Sequence, residues 1–227
     1  MRPKPWASIA APFIARSKLT DEASRCGWRM NAIHLLSVVS RRGHSEAQQP
    51  EVSLEMLDDL AAELARIFQV SCHVHEEPFS ADFAYDTRRD QFYSTVLLQS
   101  MQLLVSDPKT ACVGVTNLDL FIPILTYLFG EAQLGGRCAV VSLHRLREDF
   151  YGLPPNPDLL WQRLVKEATH ELGYVLGLRH CLDWRCVMAS THDVERLDLK
   201  GEEYCASCLA ATSLRSPAPR GPSHAAT

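Results

Sequence analysis

The stretch from His170 to Cys208 constrains this chain more than any other. It reads His170-Glu171-Leu172-Gly173-Tyr174, then Gly177, His180, Cys181, Cys186, Met188, Cys205 and Cys208. Metal-binding side chains restrict a backbone strongly, because each ligand has to reach one point. On a helix, residues four apart share a face, so positions 170 and 174 point the same way. The zinc-hydrolase pattern HExxH uses that spacing to set two histidines on one ion. The Glu beside the first then faces the water to be activated. Gly177 falls where such a helix would end, and glycine tolerates the left-handed backbone that turns a chain sharply. After that turn His180 can return as a third ligand, with Glu171 the candidate general base.

Position 174 departs from the pattern, because it is Tyr and not His. A phenol binds zinc after losing its proton, and its ordinary pKa of about 10 means that the metal has to drive the loss. Three readings stay open on sequence. Tyr174 is an unusual ligand, or zinc is held by His170, His180 and a third group from elsewhere, or the site is empty with Tyr174 packing in the cleft.

The second cluster is complete. Cys181 and Cys186 are followed by Cys205-Ala206-Ser207-Cys208. Four thiolates in two close pairs are the usual makeup of a closed tetrahedral zinc site, more a staple for folding than a place for chemistry; the alternative is a pair of disulfides or scattered free thiols.

These residues together resemble the archaemetzincins, a family of metzincin-type zinc peptidases. The family pattern is HExxHxxGxxH, a Cys adjoining the last histidine, a second Cys, a Met two residues on, and a later CxxC. Here His170, Glu171, Gly177, His180, Cys181, Cys186, Met188, Cys205 and Cys208 fall in place, and Tyr174 stands where the second histidine belongs. The resemblance implies a catalytic Zn2+ at the histidines with Glu171 as base, and a structural Zn2+ at the four cysteines. It also implies Met188 as the Met of a turn beneath the site, and a peptide as substrate. The fold implied is a metzincin-like zincin domain of α/β (α+β) class. It has a mixed twisted sheet, an active-site helix and a four-cysteine zinc-bound C-terminal segment, over roughly residues 30–209.

Composition narrows the remaining classes. A net charge of −4 without a basic block argues against a zinc-ribbon nucleic-acid protein. No apolar run approaches the roughly 20 residues that span a bilayer, so no membrane partner is expected. Cys26, Cys72, Cys112 and Cys138 sit singly and read as free thiols. Thiolate zinc and unpaired cysteines together suit a reducing, cytoplasmic setting.

Residues 1–29 are rich in Pro and basic side chains and poor in acids. They read as a transit-type leader or as residues upstream of a true start at Met30, and the second is preferred. Ile33 to Ser40 reads as a buried strand. A helix starting at Ser53 carries Leu54, Leu57, Leu60, Ala61, Leu64, Ile67 and Phe68 at helical spacing. Gln69 to Glu76 reads as a second strand with His73 and His75 on its exposed face. Asp86 to Leu104 reads as one helix, Ala111 to Thr116 as a strand, and Leu125 to Gln133 and Cys138 to Leu143 as paired strands. In the arrangement that the resemblance implies, one of these edges the substrate cleft, where a peptide can add as a further strand. His144, just beyond, reads as a surface histidine. Asp158 is the expected N-cap of the helix carrying His170. Residues 210–227, rich in Pro, Ser and Ala, read as a disordered tail.

Two functional readings follow. One is a zinc-dependent metallopeptidase. The other is a catalytically degenerate peptidase homologue that binds peptides or a protein and is stabilised by the structural zinc.

Overall fold

The computed structural model describes residues 30–42, 52–212 and 214. The expected leader, 1–29, and nearly all of the expected tail lie outside the described residues.

The first strand, β1 (Ala32–Val39), is apolar on both faces, as a central parallel strand must be. Helix α1 (Leu54–Phe68) follows. Its N-cap is Ser53, whose hydroxyl accepts from Met56 N at 3.1 Å, and it ends on Gln69 in the left-handed region. It buries the apolar stripe read from the sequence except Leu54, which lies in the first turn and is 49% exposed. β2 (Ser71–Ser80) returns parallel to β1.

The expected helix over 86–104 is only half right. Tyr85–Asp86 (β3) and Gln91–Tyr93 (β4) form a short hairpin, and helix α2 covers Ser94–Met101 before a 3-10 turn at Gln102–Leu104. The reason is long-range. Phe92 and Tyr93 pair with Leu120 and Phe121 of β6 (Leu120–Ile122), which draws them out of helical conformation. β5 (Thr110–Thr116) is wholly buried. The expected strand over 125–133 also divides. β7 (Leu125–Leu128) pairs with β6, while β8 (Gly130–Ala132) pairs antiparallel with β9 (Cys138–Ser142).

Two sheets result. The larger has the order β2-β1-β5-β9-β8 and is parallel except for β8 at its edge; the smaller has the order β3-β4-β6-β7. One face of the larger sheet offers Ile33, Leu35, Val113 and Val141 to α1 and to helix α3 (Pro157–Val175). The other face offers Leu36, Val38 and Val140 to α2 and the small sheet. Two short helices, α4 (Val194–Leu199) and α5 (Ala206–Ala211), are the last elements among the described residues. α5 runs past the domain end expected at residue 209.

Candidate active site and four-cysteine centre

Helix α3 carries the first site. Its N-cap is Asn156 and not Asp158: the Asn156 side chain accepts from Leu159 N at 3.1 Å, and Pro157 takes the first helical position, where its missing N–H costs nothing. At the other end Gly177 adopts φ +87°. Leu178 N donates to Gly173 O at 2.9 Å and Gly177 N to Tyr174 O at 2.8 Å, the paired bonds of a Schellman cap. That cap reverses the chain and brings His180 back over the helix.

Three rings converge there. Ring centres are 5.1 Å apart for His170 and Tyr174, 5.5 Å for His170 and His180, and 5.5 Å for Tyr174 and His180. Two imidazoles sharing a tetrahedral zinc, with Zn–N about 2.0–2.1 Å, have centres about 5 Å apart, so His170 and His180 fit the ion. His170 Nδ1 lies 2.8 Å from Val187 O. A carbonyl only accepts, so Nδ1 carries the proton and Nε2 keeps a free lone pair. Burial lowers the His170 pKa to about 4, against an opposing pull from Glu167, so the ring is neutral near pH 7. Tyr174 sits edge-on to both histidines. Burial, then the nearby Glu171 and Glu167, push its phenol pKa upward, so the proton stays on until a cation displaces it.

Glu171 is 4% exposed. Burial first, then Glu167, raises its pKa well above the carboxylate range, with Glu131 adding and Lys200 opposing. The strand facing it is β8. A Cβ at Gly130 would come 2.8 Å from Glu171 Cγ and 2.9 Å from Oε1, so this strand passes so close only because position 130 lacks a side chain. Glu131 turns to the start of α2, where Thr95 Oγ1 donates to it at 2.8 Å and Ser94 Oγ donates to its other oxygen.

These groups line one cleft of about 730 Å3, walled by β7–β8 residues on one side and by Glu167, His170, Glu171, Tyr174 and His180 on the other. Arg179 and His192 also open onto it. His144 does not line it. That ring is half-buried against Phe150, not on the surface as expected.

Beneath α3, Met188 is fully buried and its Sδ would lie 2.3 Å from a Cβ at Gly173. Met188 therefore packs against α3 at Gly173, and the Gly that precedes Tyr174 makes the room. Four polar ties hold the same segment to α3. Arg163 forks onto Asp198 at 2.6 and 2.7 Å, Lys166 Nζ donates to Leu197 O and Asp198 O, Lys200 Nζ pairs with Glu167 Oε1 at 2.9 Å, and Tyr204 Oη donates to Thr169 O at 2.6 Å.

The second site lies at the end of that segment. The sulfurs of Cys181, Cys186, Cys205 and Cys208 all lie within 4.8 Å of one another. Cys181 and Cys205 are 3.7 Å apart, as are Cys186 and Cys208, and none is in a disulfide. A tetrahedral zinc with Zn–S about 2.3 Å spaces its sulfurs about 3.8 Å apart, so the four fit the ion as they stand. Cys205 N donates to Cys186 Sγ at 3.3 Å. The Ser207 hydroxyl, then the Cys208 backbone, lower the Cys205 thiol to about 6, which primes one thiolate.

Sequence reasoning missed Gly130, Glu131, Gly173, Glu167 and Lys200. Glu167 could have been found, since it lies one helical turn before Glu171. Gly130, Glu131 and Lys200 approach from distant segments and leave no local signal.

The arrangement has close relatives. The family model for peptidase family M54 matches residues 81–213. An archaemetzincin of Methanocaldococcus jannaschii is 41% identical over 159 residues, 70% of this chain and 86% of the relative. This chain belongs to the archaemetzincin family. Another archaemetzincin, of Archaeoglobus fulgidus, is 34% identical over 71% of this chain and 93% of its own length. The solved structure of an A. fulgidus archaemetzincin matches with a TM-score of 0.62 and 31% identity, over 79% of this chain and 99% of that one. A zinc-dependent peptidase of Methanocorpusculum labreanum matches with a TM-score of 0.68 and 25% identity, over 79% and 98%. The α/β architecture described above, with its four-cysteine C-terminal segment, is thus the fold of this zinc-peptidase family.

Proposed function

We infer that the chain is a zinc-dependent metallopeptidase, with His170 and His180 as zinc ligands, Tyr174 as the third group at the ion, and Glu171 as general base. The observation that carries this reading is Glu171. It is a buried carboxyl with a raised pKa, in a cleft shared with two histidines, one of whose Nε2 is held free by Val187 O. Zinc, when bound there, activates water and polarises the scissile carbonyl. Glu171 takes the proton from the attacking water and returns it to the leaving amine; burial, which raises its pKa, favours its keeping the proton between the two steps. A peptide substrate lies along the free edge of β8 and pairs with its backbone. The Val187 carbonyl fixes the His170 ring, Met188 packs beneath Gly173 of the same helix, and the four cysteines hold a structural zinc that closes residues 181–208 onto α3. A reducing, cytoplasmic compartment keeps those thiols from forming disulfides, and the working domain runs from residue 30 through α5.

Glu171→Gln tests the mechanism. It should abolish peptide hydrolysis while zinc content stays unchanged. Unchanged turnover removes Glu171 from the chemistry.

Tyr174 favours a second reading, a peptide-binding homologue that no longer cuts, because the phenol holds its proton where the family pattern has an imidazole. Tyr174→His separates the two. A peptidase that uses Tyr174 already cuts as the native chain, so the variant changes its rate by a modest factor. A retired one gains cleft zinc and turnover together.

A further inference from the structure

The larger sheet carries a third group of metal-binding side chains, remote from both sites above. Ile33 and Leu35 of β1 and Cys72 and Val74 of β2 turn toward the core beneath α1 and α3. Side chains alternate along a strand, so His34 on β1 and His73 and His75 on β2 turn to the opposite face. The parallel register sets His34 directly beside His73, with His75 two residues along the same strand. The rings meet: His34 and His73 are edge-on with centres 5.6 Å apart, and His34 and His75 are 4.8 Å apart. His75 Nε2 lies 2.9 Å from His34 Nδ1.

We propose that His34, His73 and His75 form a binding site for a late first-row divalent cation, in which a histidine pair spaced by two on one strand and a single histidine on its neighbour supply three imidazole nitrogens. The His34–His73 spacing of 5.6 Å is close to that of His170 and His180 in the cleft, 5.5 Å. Ligand nitrogens of a tetrahedral zinc are about 3.3 Å apart, close to the contact between His34 and His75 already present. One of those two nitrogens carries the hydrogen between them. To bind the cation that ring takes its other tautomer, with its hydrogen on the second ring nitrogen, so both contact nitrogens offer lone pairs and no net proton is lost. His73 and His75 are exposed, so their rings turn without disturbing the core. The Asp107 carboxylate is directed to its own turn, accepting from Lys109 N at 3.0 Å and Thr110 Oγ1 at 3.1 Å. The remaining position is therefore left to water, and imidazole donors suit zinc, copper and nickel. Bound there, the ion clamps the edge strand β2 to β1.

The test is a zinc count on the full chain equilibrated at low-micromolar buffered free Zn2+, with and without the double substitution His73→Ala/His75→Ala. The substituted chain should hold one zinc fewer per molecule, and added zinc should raise the melting temperature of the parent more than that of the variant. Equal counts overturn the site and leave the three rings as polar cover for an exposed strand edge. His34→Gln, a single change on the neighbouring strand, should remove the same equivalent; retention of that zinc equally overturns the proposal. Zinc retained at the four cysteines reports that each variant is folded. Because the readout is a difference, failure of the cleft to hold zinc lowers both counts alike and leaves this comparison intact.

Discussion

At the scale of single residues, the site depends on what is missing as much as on what is present. Gly130 carries no ligand or acid, yet it sets how close β8 lies to Glu171. Gly130→Ala would thrust a methyl group against the Glu171 carboxylate, and the buried acid would have to shift. Zinc content should be unchanged while kcat falls roughly 10- to 100-fold, the usual penalty for misplacing a reacting group by about an ångström. Steady-state kinetics with parallel zinc analysis checks this. A kcat equal to the native value would mean that Glu171 has free room elsewhere. The same logic applies to Tyr174, whose charge state is set by surroundings that no local motif records.

At the scale of elements, α3 and the segment beneath it act as one unit. Replacing a helical glycine by alanine ordinarily gains up to about 1 kcal/mol. At Gly173 the gain is reversed, since the new Cβ would meet Met188 Sδ at 2.3 Å and Tyr204 Cε1 at 3.2 Å. Gly173→Ala should cost about 1–3 kcal/mol by overpacking, read from urea denaturation midpoints. Adding Met188→Ala should recover part of that loss, because the two changes share one contact. Strictly additive losses would show that the helix and the Met188 turn are not in register.

At the scale of the whole molecule, burial of the acid is a stability cost carried for function. The folded-state pKa of Glu171 is raised, so its contribution to stability is full below the usual carboxylate pKa. It is lost as pH rises through the raised value, where the unfolded chain releases a proton that the folded chain keeps. With the cleft free of metal, Glu171→Gln should therefore be more stable than the parent at about pH 8, with the advantage shrinking toward about pH 5. His170 works with the opposite sign. Its pKa is depressed from 6.5 to about 4, so its contribution is full above 6.5 and lost as pH falls toward 4. The parent should thus show a flatter stability profile between those limits than the Glu171→Gln variant. Parallel profiles would place Glu171 in contact with solvent.

Much of this was written in local sequence. The α1 stripe, its Ser53 cap, the existence of β1, β2, β5 and β9, the Gly177 turn and the grouping of the four cysteines follow from periodicity and spacing, because they depend mostly on neighbours a few residues away. The β3–β4 hairpin was hidden, since Phe92 and Tyr93 fit a helical stripe until β6 pairs with them. So was the division between β7 and β8, which belong to different sheets. The convergence of Gly130, Glu131 and Lys200 on α3, and of His34 on the two histidines of β2, joins segments about 30 to 40 residues apart. Packing and strand register alone decide such meetings, and with them the burial that sets the charge of Glu171, His170 and Tyr174.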